Sequence, residues 1–157
     1  MEKIAIFVDV QNIYYTTRQQ YQKHFNYKAF WTKATRNREI VGAFAYAIDK
    51  GDAKQRSFQN TLKKIGFQVK LKPYIQRKDG SAKGDWDVGI TLDAIELAAT
   101  VDTIILLSGD GDFDLLLQKA RHAYTTKSEV YGVTALTAPS LINSADKFIA
   151  IEKELLM

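Results

Sequence analysis

A three-layer, doubly wound α/β fold with a mainly parallel sheet is what this 157-residue sequence predicts, and three observations predict it. Short β-rich runs alternate with amphipathic stretches, the rhythm of βαβ units. Two of those runs, Ile4–Val10 and Thr103–Leu107, are apolar almost throughout, as strands covered on both faces are. Each of the two ends in an acidic, polar motif, and open parallel sheets bind ligands outside the carboxyl ends of strands where the strand order reverses. The expectation is a Rossmann-like single domain spanning residues 1–157.

Along the chain, Ile4–Val10 is the first strand, followed by a helix from about Asn12 to Lys23. Asn26 is an N-cap for a shorter helix, Tyr27–Thr35, because its side-chain oxygen can satisfy a free N–H of the first turn. Ile40–Ile48 reads as the second strand. Asp52 caps a helix over Ala53–Ile65, where Phe58, Leu62 and Ile65 recur at helical spacing and Gly66 supplies the stop. Phe67–Ile75 alternates Phe67, Val69 and Leu71 with Gln68, Lys70 and Lys72, so one of its faces is wet and an edge position is expected. Gln76–Gly84 is polar, basic and glycine-containing, hence a surface loop. A helix over Asp87–Ala99 buries Val88, Leu92, Ile95 and Ala99. Thr103–Leu107 is the next strand, ended by the turn Ser108-Gly109-Asp110-Gly111, and a helix over Phe113–Ala123 and a strand over Glu129–Val133 continue the rhythm. Ala138–Ala145 and Lys147–Leu156 read as short helices with room for a brief strand.

Composition narrows the function. A content of 46% hydrophobic and 11% aromatic residues suffices for one well-buried core, and 157 residues are few for two domains. Without a cysteine the chain builds no disulfide, no thiolate metal site and no Cys nucleophile, which agrees with a reducing cytoplasm. The apolar run before Asp9 is too short for a signal sequence or a membrane span, so a cytoplasmic protein with no membrane partner is expected. The net charge of +4 decides little by itself. Its distribution says more, since Arg18, Lys23, Lys28, Lys33, Arg36 and Arg38 crowd one segment and Lys63, Lys64, Lys70, Lys72, Arg77, Lys78 and Lys83 another. Acids gather instead in tight motifs. An acidic centre within a basic surround suits an anionic polymer held by cations and cut at a carboxylate-bound metal.

Three motifs carry the chemistry: FVDVQN with Asp9 and Asn12, KGDWDVGITLD with Lys83, Asp85, Asp87 and Asp93, and LLSGDGDFD with Ser108, Asp110, Asp112 and Asp114. An aspartate at a strand end or helix start is often only a turn former or a cap, and a carboxylate at a helix N-terminus gains a few tenths of a kcal/mol from the macrodipole. That reading suits Asp85 or Asp87 taken alone. Two acid-ended apolar strands in one small domain favour a site. If those strands are neighbours at the switch point, Asp9 and Asp110 approach each other, and like charges that close call for an oxygen-liganded cation.

The three motifs in this order, over nearly the whole chain, resemble the NYN domain family, the LabA-like branch of the PIN-like nucleases. The resemblance implies a doubly wound α/β sandwich that gathers acids to bind a divalent metal, Mg²⁺ or Mn²⁺, for RNA cleavage. It implies metal-site and catalytic roles for Asp9, Asp87, Asp110 and Asp112, with Asn12 and Ser108 as supporting polar ligands. The second motif of the family reads Lys-Gly-X-Asp, whereas here Asp85 and Trp86 both intervene before Asp87. Asp85 and Asp87 therefore remain alternatives. Asp87 is preferred because Val88 and the spacing to Asp93 then keep the family's register.

Such a site needs no side-chain nucleophile. His24 and His122, the two histidines, stand outside the acidic motifs and are assigned to surface or helix faces. Arg77, Lys78 and Lys83 are assigned to the RNA backbone, and the basic segment from Arg18 to Arg38 to the flank of the cleft. Most of the aromatic group Tyr14, Tyr15, Tyr21, Phe25, Tyr27, Phe30 and Trp31 is assigned to packing, with one or two of them, and Trp86 beside the acids, left to stack on unpaired bases. Two rivals stand against a ribonuclease. GDGDFD and FVDV also resemble a haloacid-dehalogenase-type phosphatase, but that mechanism needs a general acid two residues after the nucleophile, and Gln11 cannot donate the proton. The other is a non-catalytic RNA-binding or regulatory module on the same fold. Association into a homo-oligomer is left open by the sequence.

Overall fold

The computed structural model describes residues 1–73, 75–76, 82–83 and 85–157, without the side chains of residues 73, 75, 76, 82 and 83. In chain order its elements are β1 (Glu2–Asp9), α1 (Val10–Tyr21), α2 (Tyr27–Thr35), β2 (Arg38–Asp49), α3 (Ala53–Ile65), β3 (Gln68–Pro73), β4 (Ile75–Gln76), β5 (Ala82–Lys83), α4 (Asp87–Ala98), β6 (Thr103–Leu107), α5 (Asp114–Tyr124), β7 (Lys127–Gly132), α6 (Pro139–Ser144) and β8 (Lys147–Ala150). The predicted caps are formed: Asn26 Oδ1 accepts from the Ala29 N–H at 3.0 Å, and Asp52 Oδ1 from the Lys54 N–H at 2.7 Å. Gly66 ends α3 at φ +139°, a conformation that side-chain-bearing residues rarely adopt.

Six strands form one sheet in the order β3-β2-β1-β6-β7-β8, every neighbouring pair parallel. The order reverses between β1 and β6, so the two acid-ended strands are the neighbours at the switch point. Alternate residues of β1 point to opposite faces. Ile4, Ile6 and Val8 join Ile13 of α1, Phe30 of α2 and Leu62 of α3 in one core. Ala5 and Phe7 join Ile90 and Ala94 of α4, Leu116 and Leu117 of α5 and Leu141 of α6 in the other. Helices thus cover both faces, and the fold is the predicted three-layer, doubly wound one.

The edge position expected for the third strand holds, with β3 at one margin and β8 at the other. Three local expectations change. Val10 opens α1 rather than closing β1, because Asp9 caps the helix directly and leaves no loop between them. Val88 and Leu92, expected on the buried side of their helix, are 70% and 66% exposed, because α4 packs through Ile90, Ala94 and Ala98 instead. In the expected Gln76–Gly84 loop, Gln76 pairs antiparallel with Ala82, and Ile75 with Lys83, while 77–81 and Gly84 lie outside the described residues. Among the described residues no helix is long and apolar enough to cross a membrane.

Candidate metal centre

Asp9 ends β1 and caps α1, so the fold holds its carboxylate at the sheet's carboxyl edge with 9% of the residue exposed. Its Oδ1 accepts from the Asn12 N–H at 3.4 Å, and its Oδ2 accepts from the Ser108 hydroxyl at 3.1 Å. Ser108, the residue after β6, is itself fully buried and accepts the Asp110 N–H on the same oxygen at 3.2 Å. Asn12 reaches across to the same turn, its Oδ1 accepting the Gly109 N–H at 2.9 Å. Asn12 and Ser108, predicted as polar ligands, thus tie the end of β1 to the end of β6.

After that turn, Asp110 caps a short 3₁₀ turn, Gly111–Phe113, by accepting the Asp112 N–H at 3.0 Å. The third motif arrives from α4, whose first residue is Asp87. Asp85 accepts the Asp87 N–H at 3.3 Å, the local capping role that sequence reasoning offered for one of this pair. The oxygens of Asp87, Asp110 and Asp112 come within 4.8 Å of one another. An open pocket of about 240 Å³ beside them is lined by Asp9, Gln11, Asn12, Tyr15, Thr16, Asp85, Asp87 and Asp110.

Crowding of these acids shows in their protonation. Burial is the largest cause that raises Asp9 from 3.8 to about 6, with the Asp110 and Asp85 charges adding to it against the Asn12 and Ser108 hydrogen bonds. Burial also leads in raising Asp87 to about 7, followed by a hydrogen bond shared with Asp110 and the charges of Asp110, Asp85 and Asp9. Near neutral pH the raised Asp87 carboxyl is still partly protonated, and a divalent cation would displace that proton. The donors are hard carboxylate oxygens without sulfur or imidazole, the set that Mg²⁺ and Mn²⁺ take. The residues present therefore fit such an ion.

Other expectations meet different surroundings. Arg38 does not flank the cleft: it opens β2 at the opposite edge of the sheet, where it pairs with Glu2 at 2.8 Å and with Glu129. A half-buried arginine engaged with two acids at that edge is far from any phosphate held at the carboxyl edge. Trp86 does lie beside the acids, but its indole N–H donates to the Ala47 carbonyl at 2.9 Å. Its ring covers Gly89, where a Cβ would stand 2.6 Å from it, and meets Tyr46 at 5.3 Å. The Lys72 ammonium sits 4.5 Å from the ring centroid and donates to the Asp85 carbonyl at 3.1 Å. Asp93 accepts from Lys70 at 2.7 Å and from the Tyr46 hydroxyl at 2.8 Å, so it braces the wall beneath Trp86. Arg77 and Lys78 lie outside the described residues, as does the side chain of Lys83.

Sequence reasoning passed over Thr16 as a pocket residue and singled out Tyr15 only as one of a group of seven aromatics. Their signal was available, since residues three and four after Asn12 share its helix face.

Gly109 allows a test of how closely this turn must be held. A Cβ there would stand 2.6 Å from the Leu136 carbonyl oxygen and 3.2 Å from Thr137 Cα, both backbone atoms that cannot swing aside. Gly109→Ala therefore displaces the turn carrying Ser108 and Asp110. The expected outcome is a loss of about 1–3 kcal/mol of stability, typical of overpacking, read by chemical denaturation. A Mn²⁺-induced rise in melting temperature smaller than that of wild type should accompany it.

The NYN domain family model matches residues 3–152 of the chain. The low amplitude and bright protein LabA of Synechococcus elongatus is 29% identical, over 94% of this chain and 82% of its own. Similar in structure is a protein of unknown function from Vibrio parahaemolyticus. Its crystal structure has a TM-score of 0.95 and 58% identity, covering 99% of this chain and 96% of that one.

Proposed function

This chain belongs to the NYN domain family, and from that premise we propose that it is a divalent-metal-dependent ribonuclease. It hydrolyses RNA phosphodiester bonds in the cytoplasm, at Mg²⁺ or Mn²⁺ held by Asp9, Asp87, Asp110 and Asp112. The observation that carries the reading is the convergence of Asp87, Asp110 and Asp112 within 4.8 Å, beside the buried carboxylate of Asp9. A separation this short between acids from two different elements is costly unless a cation is bound.

When bound, the ion supplies a polarised phosphate, a bound water of lowered pKa and a counter-charge for the leaving oxygen. The chain's own residues do the positioning. Asp9 is oriented by Ser108 and by the first turn of α1, so its oxygens are fixed before any ligand arrives. The raised Asp87 carboxyl must be deprotonated to serve as a ligand, which would couple metal binding to pH. Asn12 locks the distance between the turn after β6 and α1, and hence between Asp9 and Asp110. Arg77, Lys78 and Lys83 steady the RNA backbone from the segment between β3 and α4, and Trp86, packed on Tyr46 and Gly89, stiffens the wall beside the acids.

Labelled single-stranded and structured RNAs incubated with Mn²⁺, Mg²⁺ or EDTA test the proposal. Cleavage should require the metal and stop with chelator. Binding without cleavage in every RNA and with both metals would instead mark a non-catalytic RNA-binding module on the same fold.

A further inference from the structure

Of the aromatic residues early in the chain, Phe25, Tyr27 and Phe30 are buried, which accounts for them as core. Tyr14 and Tyr15 are not: they are 39% and 52% exposed, on a helix that begins at the acidic pocket. Tyr15 lines that pocket together with Asp9, Asn12 and Thr16. Tyr14 stands edge-on to it, ring centroids 5.4 Å apart at 76°. Tyr14 is held in turn: Arg18 donates to its hydroxyl at 2.8 Å with the guanidinium 5.9 Å from the ring centroid, and the His24 ring stacks at 6.0 Å. An acidic pocket thus passes into an aromatic surface and then into a cation, all on one exposed side of α1.

Resting on the ribonuclease reading, we propose that Tyr15, Tyr14 and Arg18 form a binding track for single-stranded RNA leading out of the acidic pocket. Tyr15 offers a ring face to an unpaired base, and Tyr14 braces that ring from its edge. Arg18 supplies positive charge to a phosphate one helical turn farther out, where the acids no longer repel it. Bases in a duplex are already stacked on one another, so only an unpaired strand can use the ring. Trp86 cannot substitute, because its N–H is bonded to Ala47 and its ring is packed against Gly89 and Tyr46.

Fluorescence anisotropy of a labelled oligouridylate, with the full chain in EDTA to prevent cleavage, tests the track. Tyr15→Ala should weaken binding about 10-fold, the size of one lost base–aromatic stack, and Tyr15→Phe should bind within about 2-fold of wild type. Arg18→Ala should weaken binding and flatten its salt dependence. An equally long RNA duplex should show no dependence on Tyr15. A Mn²⁺-induced melting shift equal to wild type's in Tyr15→Ala verifies that its fold and acids are intact. Wild-type affinity in Tyr15→Ala, or an equal loss for strand and duplex, overturns the track. Wild type that binds the strand through Tyr15 but never cleaves it with Mn²⁺ supports the track and removes the ribonuclease reading. Wild type that binds no RNA overturns both.

Discussion

Asp110→Asn is expected to lower RNA cleavage by at least ~100-fold, beyond the 10–100-fold that partners one shell away from a metal typically cost. The same change should raise the melting temperature of the metal-free protein. Both effects have one cause. The Asp110 carboxyl is hydrogen-bonded to that of Asp87, and its charge bears on both Asp87 and Asp9. Removing that charge relieves repulsion in the metal-free protein and removes one of the proposed metal ligands. The local turn survives, because an Asn oxygen can still accept the Asp112 N–H that Asp110 accepts at 3.0 Å. A relief of about 1 kcal/mol would appear as about 2–4 °C for a chain of this size. Thermal melts with and without Mn²⁺, paired with cleavage rates, decide it. A variant that cleaves at the wild-type rate, or whose melting temperature climbs with Mn²⁺ as far as wild type's, would make Asp110 a turn residue only.

The metal-free protein should lose stability as pH rises from about 4 to about 7. Asp9 has a folded-state pKa of about 6, and Asp87 of about 7, both raised from 3.8. Between the unfolded and folded values the native state binds more protons than the unfolded chain, so stability falls with rising pH and levels off above about 7. This is the reverse of the usual carboxylate, whose native partners depress its pKa. For Asp9, a shift from 3.8 to about 6 corresponds to about 3 kcal/mol as an upper bound, at about 1.4 kcal/mol per pH unit. Asp87 is more exposed, and solvent screening makes its share smaller than its shift implies. Mn²⁺ should reverse the loss, its stabilising effect growing as pH rises through the same range and the carboxyls ionise. Melting temperatures from pH 4.5 to 8 in EDTA and in Mn²⁺ provide the check. A metal-free stability that climbs steadily with pH would mean that these acids are neither crowded nor buried in solution.

Much of this was written in the pattern of residues. Apolar runs ended by Asp9 and by Ser108-Gly109-Asp110 mark strands that are buried and turn polar only where they leave the sheet. Caps at Asn26 and Asp52 and the stop at Gly66 are local chemistry, decided by neighbours within a few residues, and they came out as read. What went astray depended on distant partners. Arg38 looked like one of a basic group, yet Glu2 and Glu129 approach it only when β2, β1, β6 and β7 have been laid in order in one sheet. The rotation of α4 about its axis was misjudged for a related reason. Its small residues at 94 and 98 let the helix approach the sheet closely, leaving Val88 and Leu92 outside.

By itself the sequence determined the fold class, because strand burial, helix caps and strand-end polarity follow from spacing along the chain, and its three motifs carried the resemblance to the family whose model it matches. The tertiary structure alone decided which of the motifs' acids meet. Asp87 rather than Asp85 joins Asp110 and Asp112, since α4 begins at Asp87 and the Asp85 side chain turns back to cap its N–H. It likewise decided that Trp86 is packed into the wall while Tyr15 stays open to the pocket. Two residues adjacent to the same motif look alike in sequence. Their roles separate when the sheet order brings residues about a hundred positions apart, such as Asp9 and Ser108, within hydrogen-bond reach.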